Sequence, residues 1–429
     1  MSAGTPADRP LAAYMAVTAA YWAFMLSDGA LRMLVLLHFH ILGFSPVQLA
    51  YLFLLYELAG ILTNLSAGWI AARFGLTRTL YAGLALQIVA LLALALLSPA
   101  WSLVASVIYV MAVQGLSGVA KDLAKMASKS AVKLLAPAQG DGLFRWVAAL
   151  TGSKNAVKGL GFLLGAALLA TAGFTAAVLA MAAVLGAILA AVLWRMPPGL
   201  PAGRKGARFR EVFSRDRNIN TLSVARVFLF GARDVWFVVG IPVYFYAVLS
   251  DGSTAGNRTA FFLIGGFMAL WIILYGMVQA SAPRLLRAQS RAPAALVASA
   301  KGWALALVPV PAGLALAVWL AGAPAPWLSA LLVVGLLVFG MLFAVNSALH
   351  SWLILAFAQD RRVTMDVGFY YMANAAGRLI GTLLSGLGYQ LGGIQLCLAL
   401  AALMLGLSAL AATRFDPAPL RPAGDTPST

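Results

Sequence analysis

Long, uninterrupted apolar runs dominate this chain and limit what it can become. Twelve such runs can be read, at roughly 11–38, 46–72, 77–98, 101–121, 143–170, 173–195, 219–249, 259–282, 295–321, 327–353, 363–390 and 393–412. Each matches or exceeds the about 20 residues that carry a helix across a bilayer. Hydrocarbon offers no partner to backbone N–H and C=O groups, so runs of this kind are expected to be helical. Composition agrees: 62% of residues are hydrophobic and 10% charged, against about 45–50% and 25% in soluble domains. The expected class is an all-α integral membrane protein. The 41 glycines lack a three-residue period, which excludes collagen. The first run starts at Leu11 and leads straight into further runs, which is a poor fit to a secretory signal peptide. Cys397 is the single cysteine, so a disulfide framework, a thiolate metal site and a redox pair are excluded.

The clearest interruption is Pro197–Arg217, a polar stretch rich in Pro, Gly and Arg. It divides the chain into an expected six-helix bundle at 1–196, a linker at 197–217 and a second six-helix bundle at 218–429. Lys and Arg concentrate in alternate loops. One side receives Arg73, Arg78, Lys125, Lys129, Lys133, the linker cluster, Arg284, Arg287, Arg291, Arg361, Arg362, Arg414 and Arg421. The opposite loops carry only Arg258. The positive-inside rule then places both termini in the cytoplasm. It also accounts for the net charge of +17, so topology and anionic lipid explain the basic excess and nucleic acid is not an expected partner.

The loop after the second run reads Gly68-Trp-Ile-Ala-Ala-Arg73-Phe-Gly75-Leu-Thr-Arg78. It resembles the major facilitator superfamily signature between helices two and three, with Gly68, Arg73, Gly75 and Arg78 as its conformational motif. Ala72 occupies the position where that signature carries an acid, so its usual ion pair is absent or replaced. With the six-plus-six layout, the resemblance implies a major facilitator fold of 12 transmembrane helices in two pseudo-symmetric bundles. Gly152-Ser153-Lys154 lies in an apolar helix without the spacing of a phosphate-binding loop, so no ATPase is expected; no nucleophile–base constellation or metal cluster is legible, so no enzyme activity and no cofactor are expected.

Ionisable residues within membrane spans are costly and tend to line functional cavities. The runs contain Asp28 and Arg32, Glu57 and Asn64, Lys121 and Asp122, Lys154 and Lys158, Arg226, Arg233 and Asp234, and Asp366, Asn374 and Arg378. Some are expected to be helix-locking pairs, with Asp28–Arg32 and Asp366–Arg378 as candidates and Lys121–Asp122 as a pair at an inner end. The balance remains positive. Arginine does not readily shed its proton, so a multiply anionic ligand is the simplest way to keep such a cavity charged. Arg32, Lys154, Lys158, Arg233, Arg378, Tyr371 and Asn374 are the expected binding residues of one mid-membrane site. Asp28, Glu57, Asp234 and Asp366 are expected as gating counter-ions or proton carriers. Arg32 and Arg233 fall at similar depths in helices that would be symmetry mates, and organophosphate antiporters of the superfamily look similar in this respect. His38 and His40 are spaced to lie on different helix faces and read as interfacial polar residues, so no metal site is expected.

Four segments resemble the organoarsenical efflux permeases of the ArsJ type: Ala16–His40, Gly115–Leu135, Leu150–Ala170 and Ala225–Gly252. They hold most of the intramembrane charges. The resemblance implies a multi-pass, monomeric protein of the bacterial inner membrane that exports 1-arseno-3-phosphoglycerate. It also implies a partner glyceraldehyde-3-phosphate dehydrogenase that makes this ester. Charge alone leaves other organic phosphates and organic anions open as substrates.

Overall fold

The computed structural model describes residues 8–135, 142–195, 214, 216–286, 293–358 and 363–416. Regular structure among these residues is entirely helical. In chain order the helices are α1 (Asp8–Ile41), α2 (Pro46–Phe74), α3 (Leu76–Ala95), α4 (Leu103–Leu135), α5 (Gly142–Ala172), α6 (Phe174–Arg195), α7 (Arg217–Phe237), α8 (Gly240–Leu249), α9 (Thr254–Leu285), α10 (Pro293–Leu307), α11 (Pro309–Ala321), α12 (Pro326–Phe357) and α13 (Val363–Ala412). Ten helical segments among the described residues are long and apolar enough to cross a membrane.

The difference from twelve runs has local causes. The run at 219–249 breaks at Val238–Val239 into α7 and α8. There the hydroxyl of Ser385 on α13 accepts from both the Val239 and the Gly240 N–H, each at 3.1 Å. It thereby satisfies donors at the break. The run at 295–321 bends near Val308, where Pro309 has no N–H to continue the ladder, yet it remains one candidate span, Ala294–Ala321. The boundary expected between 390 and 393 falls at a kink, across which two helices run together as α13. Its break is confined to Gly392 and Gly393, and Gly393 sits at φ 62°, a conformation that suits glycine.

Polarity is inverted relative to a soluble protein. Leu96, Trp194 and Leu391 are more than 70% exposed, whereas Glu57, Asp122, Asp234, Asn346 and His350 are fully buried. Apolar surface on this scale suits lipid, and the polar groups are sequestered inside. The chain is a multi-pass membrane protein.

The protein forms two compact units: Met1–Phe209 with Phe245–Ile273, and Arg210–Tyr244 with Leu274–Thr429. The expected linker at 197–217 lies outside the described residues except for Ser214, Asp216 and Arg217. Part of α9 belongs to the first unit because it packs closely on α5. A Cβ at Gly265 would meet the Ala166 methyl at 2.7 Å, and one at Gly159 would meet the Ala269 carbonyl at 2.8 Å.

Each unit is built on one glycine-mediated helix pair. In the first, the Leu26 and Ala30 carbonyls of α1 lie against Gly161 and Gly165 of α5. In the second, the Val227 and Gly231 carbonyls of α7 lie against Gly377 and Gly381 of α13. All four spacings are four residues, so the two pairs share one register. Van der Waals packing of small residues, without a hydrophobic drive in lipid, holds helices at this separation.

Gly68 and Arg73 fall on α2, and their side-chain surroundings lie outside the described residues. Gly75 joins α2 to α3 at φ 84° and accepts the Thr79 hydroxyl at 2.8 Å, while Arg78 is exposed on α3.

These contacts set a test. A Cβ at Gly381 would lie 2.5 Å from the Gly231 carbonyl, whereas one at Gly186 on α6 meets nothing within 4 Å. Gly381→Ala is expected to destabilise the detergent-solubilised protein by about 1–3 kcal/mol through overpacking. Gly186→Ala is expected to be neutral or to stabilise slightly. Thermal unfolding followed by size-exclusion recovery compares the two.

Candidate functional site

The first unit holds a buried charge cluster on α1, α2, α4 and α5. Arg32 donates to Glu57 at 2.9 Å, and Lys158 donates to Asp28 at 2.7 Å. The Tyr56 hydroxyl donates to the other Asp28 oxygen at 2.5 Å. Lys121 places its ammonium 4.0 Å from the Tyr56 ring centroid. Three cations therefore surround two carboxylates within one knot of side chains. Glycine packing makes the knot possible, since Gly29 sits against the Lys158 backbone and brings Asp28 and Lys158 within reach.

A narrow cleft too tight for a water molecule lies beside these groups, lined by Asp28, Leu31, Arg32, Phe53, Tyr56, Gln114 and Ser117. Two buried donors lining it, Arg32 Nε and the Gln114 amide nitrogen, have no hydrogen-bond partner. Buried donors are normally satisfied.

The second unit repeats the theme with other residues. Arg233 and Asp234 are adjacent on α7 and paired, with Nε donating at 2.6 Å. Arg378 of α13 donates to the second Asp234 oxygen at 3.3 Å. Two guanidinium groups thus share one carboxylate. Two residues separate Ala30 from Arg32 in α1, and two separate Gly231 from Arg233 in α7. Because the glycine contacts fix a common register, Arg32 and Arg233 occupy equivalent positions in their units. By the same register Lys158 corresponds to Asn374. The break after α7 puts Asp234 in that helix's last turn, with its backbone carbonyl accepting from the Val238 N–H.

Several pairings differ from the sequence expectation. Asp28 does not pair with Arg32, because Lys158 and Tyr56 already occupy both its oxygens and Glu57 takes Arg32. Asp366 does not pair with Arg378. The two are twelve residues apart on one helix, about 18 Å along its axis, and Arg378 reaches Asp234 instead. Asp122 bonds Lys125 at 2.5 Å and Thr63 at 2.7 Å, and the neighbouring Lys121 adds its positive charge. Lys154 is half-buried one turn from Lys158. Tyr371 packs against the apolar core with Tyr370 at 5.6 Å, and Asn374 accepts from Arg226 at 3.0 Å. His38 stacks on Phe174 and His40 packs edge-on against Tyr246. No group of three or more potential metal ligands occurs among the described residues.

Tyr56, Gln114 and Ser117 were not singled out by sequence reasoning. A signal for two of them was present: Gln114, Ser117 and Lys121 are spaced three and four apart on an apolar helix, which makes one polar stripe.

No family model matches this sequence, and no curated protein matches it. Solved structures do. A nucleoside transporter, NupG in its D323A form, superposes with a TM-score of 0.68 at 14% identity, covering 95% of this chain and 100% of that one. A POT family transporter in complex with 5-aminolevulinic acid gives 0.70 at 15% identity, covering 95% and 96%. A POT family transporter bound to a thioalcohol-conjugated peptide gives 0.69 at 14% identity, with the same coverage. The chain shares the fold of these transporters. Identities this low establish a shared fold and nothing about what is bound.

The ion pairs set a measurable coupling. Glu57→Gln leaves Arg32 buried beside a neutral amide and is expected to cost about 3–5 kcal/mol. Adding Arg32→Gln is expected to recover a substantial part of that loss. A double-mutant cycle on thermal stability in detergent checks the pairing.

Proposed function

We propose that the protein is a secondary membrane transporter that exports an anionic organoarsenical, 1-arseno-3-phosphoglycerate, from the cytoplasm and so confers arsenate resistance. One observation carries the anion reading. Each unit buries an arginine at the equivalent position, Arg32 or Arg233, inside a cluster with more cations than carboxylates. A surplus of guanidinium charge in a dry interior calls for an anion that accepts in a planar, two-pronged geometry. The ester carries a phosphate and an acyl arsenate, both suited to that geometry.

The fold supports transport by alternating access. The reading includes 12 spans in two six-helix halves, both termini in the cytoplasm and residence in a bacterial inner membrane. The division of the 219–249 run and the kink of α13 at Gly392 and Gly393 are compatible with that count. The partner in this reading is a glyceraldehyde-3-phosphate dehydrogenase that forms the ester, and arsenic itself enters only through the sequence resemblance. The similar structures are described as a nucleoside transporter and as POT family complexes, and their ligands are not carried over. A carrier of another organic phosphate or organic anion is the second reading, favoured by the fact that the clusters select charge and not arsenic.

In this account Arg32, Lys158, Arg233 and Arg378 grip the substrate, with Lys154, Tyr371 and Asn374 near them. Asp28, Glu57 and Asp234 neutralise the cations once the substrate has left, and Asp366 is a further candidate proton carrier.

Cells expressing the protein together with the partner dehydrogenase are expected to tolerate arsenate better than cells expressing either alone. Equal tolerance would remove the organoarsenical reading and leave the general anion carrier. Arg233→Gln is expected to abolish export at matched protein level. Arg233→Lys is expected to retain part of it, because the point charge survives and the fork does not. Resistance at the unmodified level in the Gln variant would take Arg233 out of the binding site.

A further inference from the structure

The first unit contains a buried cation, Lys121, to which the transport reading gives no role. Glycine packing sets its place on α4. A Cβ at Gly118 would lie 2.6 Å from the Tyr56 carbonyl, so α4 meets α2 in close contact at Tyr56. Gly118 and Lys121 are three residues apart and share a helix face. The Lys121 ammonium accordingly lies 4.0 Å from the centroid of the Tyr56 ring. The hydroxyl of that same ring donates to Asp28 at 2.5 Å. The charge of Lys121 therefore reaches Asp28 together with that of Lys158.

Each nearby carboxylate already has an ionic partner other than Lys121. Asp122, the next residue, accepts from Lys125 at 2.5 Å, Thr63 at 2.7 Å and Asn64 at 3.4 Å. Glu57 holds Arg32 at 2.9 Å, and Asp28 holds Lys158 at 2.7 Å. The two lysines that act on Asp28 differ in access: Lys158 is half-buried, whereas Lys121 is buried. When Lys158 turns to a transported anion, Asp28 loses its direct cation. Asp28 is only 3% exposed, and a buried carboxylate stripped of its partner is strongly destabilising. A second ammonium, already seated on the ring that bonds Asp28, offsets that loss through rotation of a flexible four-carbon stem.

We propose that Lys121 is a positioning residue of the substrate site, the alternate counter-ion that moves from the Tyr56 ring to Asp28 when Lys158 leaves Asp28 for the transported anion. This rests on the reading of Lys158 as a substrate ligand and divides the work between two lysines. Lys158 moves between carboxylate and anion, and Lys121 keeps Asp28 paired meanwhile.

Two measurements on the full-length protein test it. The first is thermal unfolding in detergent without any transported anion. Lys158→Met and Lys121→Met each leave one lysine for Asp28, with Arg32 held by Glu57. The double variant leaves none, so its drop in unfolding temperature is expected to exceed the sum of the two single drops. Adding Asp28→Asn is expected to recover part of that excess, and adding Asp122→Asn none of it. The second is uptake of 3-phosphoglycerate by proteoliposomes. Lys121→Met ties Lys158 to Asp28 and is expected to raise KM about tenfold, the scale of one interaction with a charged group. In an Asp28→Asn background the same substitution is expected to leave KM unchanged. Lys121→Arg keeps the charge and is expected to keep KM near the unmodified value. A residue that merely packs on Tyr56 would raise KM in both backgrounds. The proposal is overturned by additive drops in unfolding temperature, by recovery with Asp122→Asn in place of Asp28→Asn, or by a KM effect that persists in Asp28→Asn. Absence of 3-phosphoglycerate uptake by the unmodified protein would instead count against the anion reading, while the unfolding series decides by itself whether the two lysines share Asp28.

Discussion

Close backbone approach at glycine is the interaction on which the rest of this structure depends. Gly161 and Gly165 against α1, and Gly377 and Gly381 against α7, bring helix axes near enough for short side chains to meet across them. In lipid there is no apolar gain from pairing two apolar helices, so the contact must come from shape. Once it is made, Asp28 faces Lys158, and Asp234 faces Arg378. The buried charges become affordable only because the backbone has placed their partners.

The same contact gives the pseudo-symmetry a physical definition. Two carbonyl–glycine contacts four residues apart fix the relative height of the paired helices in each unit. That height puts Arg32 and Arg233 in matching positions without reference to overall superposition. The partners have diverged: Arg32 takes its acid from α2, whereas Arg233 takes Asp234 from its own helix. Equivalent cations with unlike counter-ions make the two clusters chemically distinct, so neutralising a carboxylate in one unit has no simple counterpart in the other.

Much of this was legible in the sequence. Run length and loop charge gave the membrane-spanning helical class, and the intramembrane charges named nearly every residue of both clusters. Pair identities were not legible. Asp28 and Arg32 sit four apart on one face, which favours pairing along a helix, but tertiary contacts from Lys158, Tyr56 and Glu57 outcompete it. The helix breaks at Val238–Val239 and Val308 were hidden within apolar runs, because Ser385 is distant in sequence and Pro309 lies inside a hydrophobic stretch. Tyr56 was not legible, since a lone tyrosine in an apolar helix has no periodicity of its own. The Gln114–Ser117–Lys121 stripe shows that polar spacing within a span is worth reading as closely as apolar spacing.

The central claim is that the buried cation surplus exists to carry a multiply charged anion. Current measurement on reconstituted proteoliposomes under an imposed membrane potential tests it most directly. With 3-phosphoglycerate as the probe anion on the side of entry, the account predicts a current carrying negative charge in the direction of anion movement, steepened by potential at about 2.3 kcal/mol per charge per 100 mV. A neutral nucleoside should give none, and Arg32→Gln should abolish the current. Potential-independent uptake of the neutral solute, with no anion current, would contradict the account.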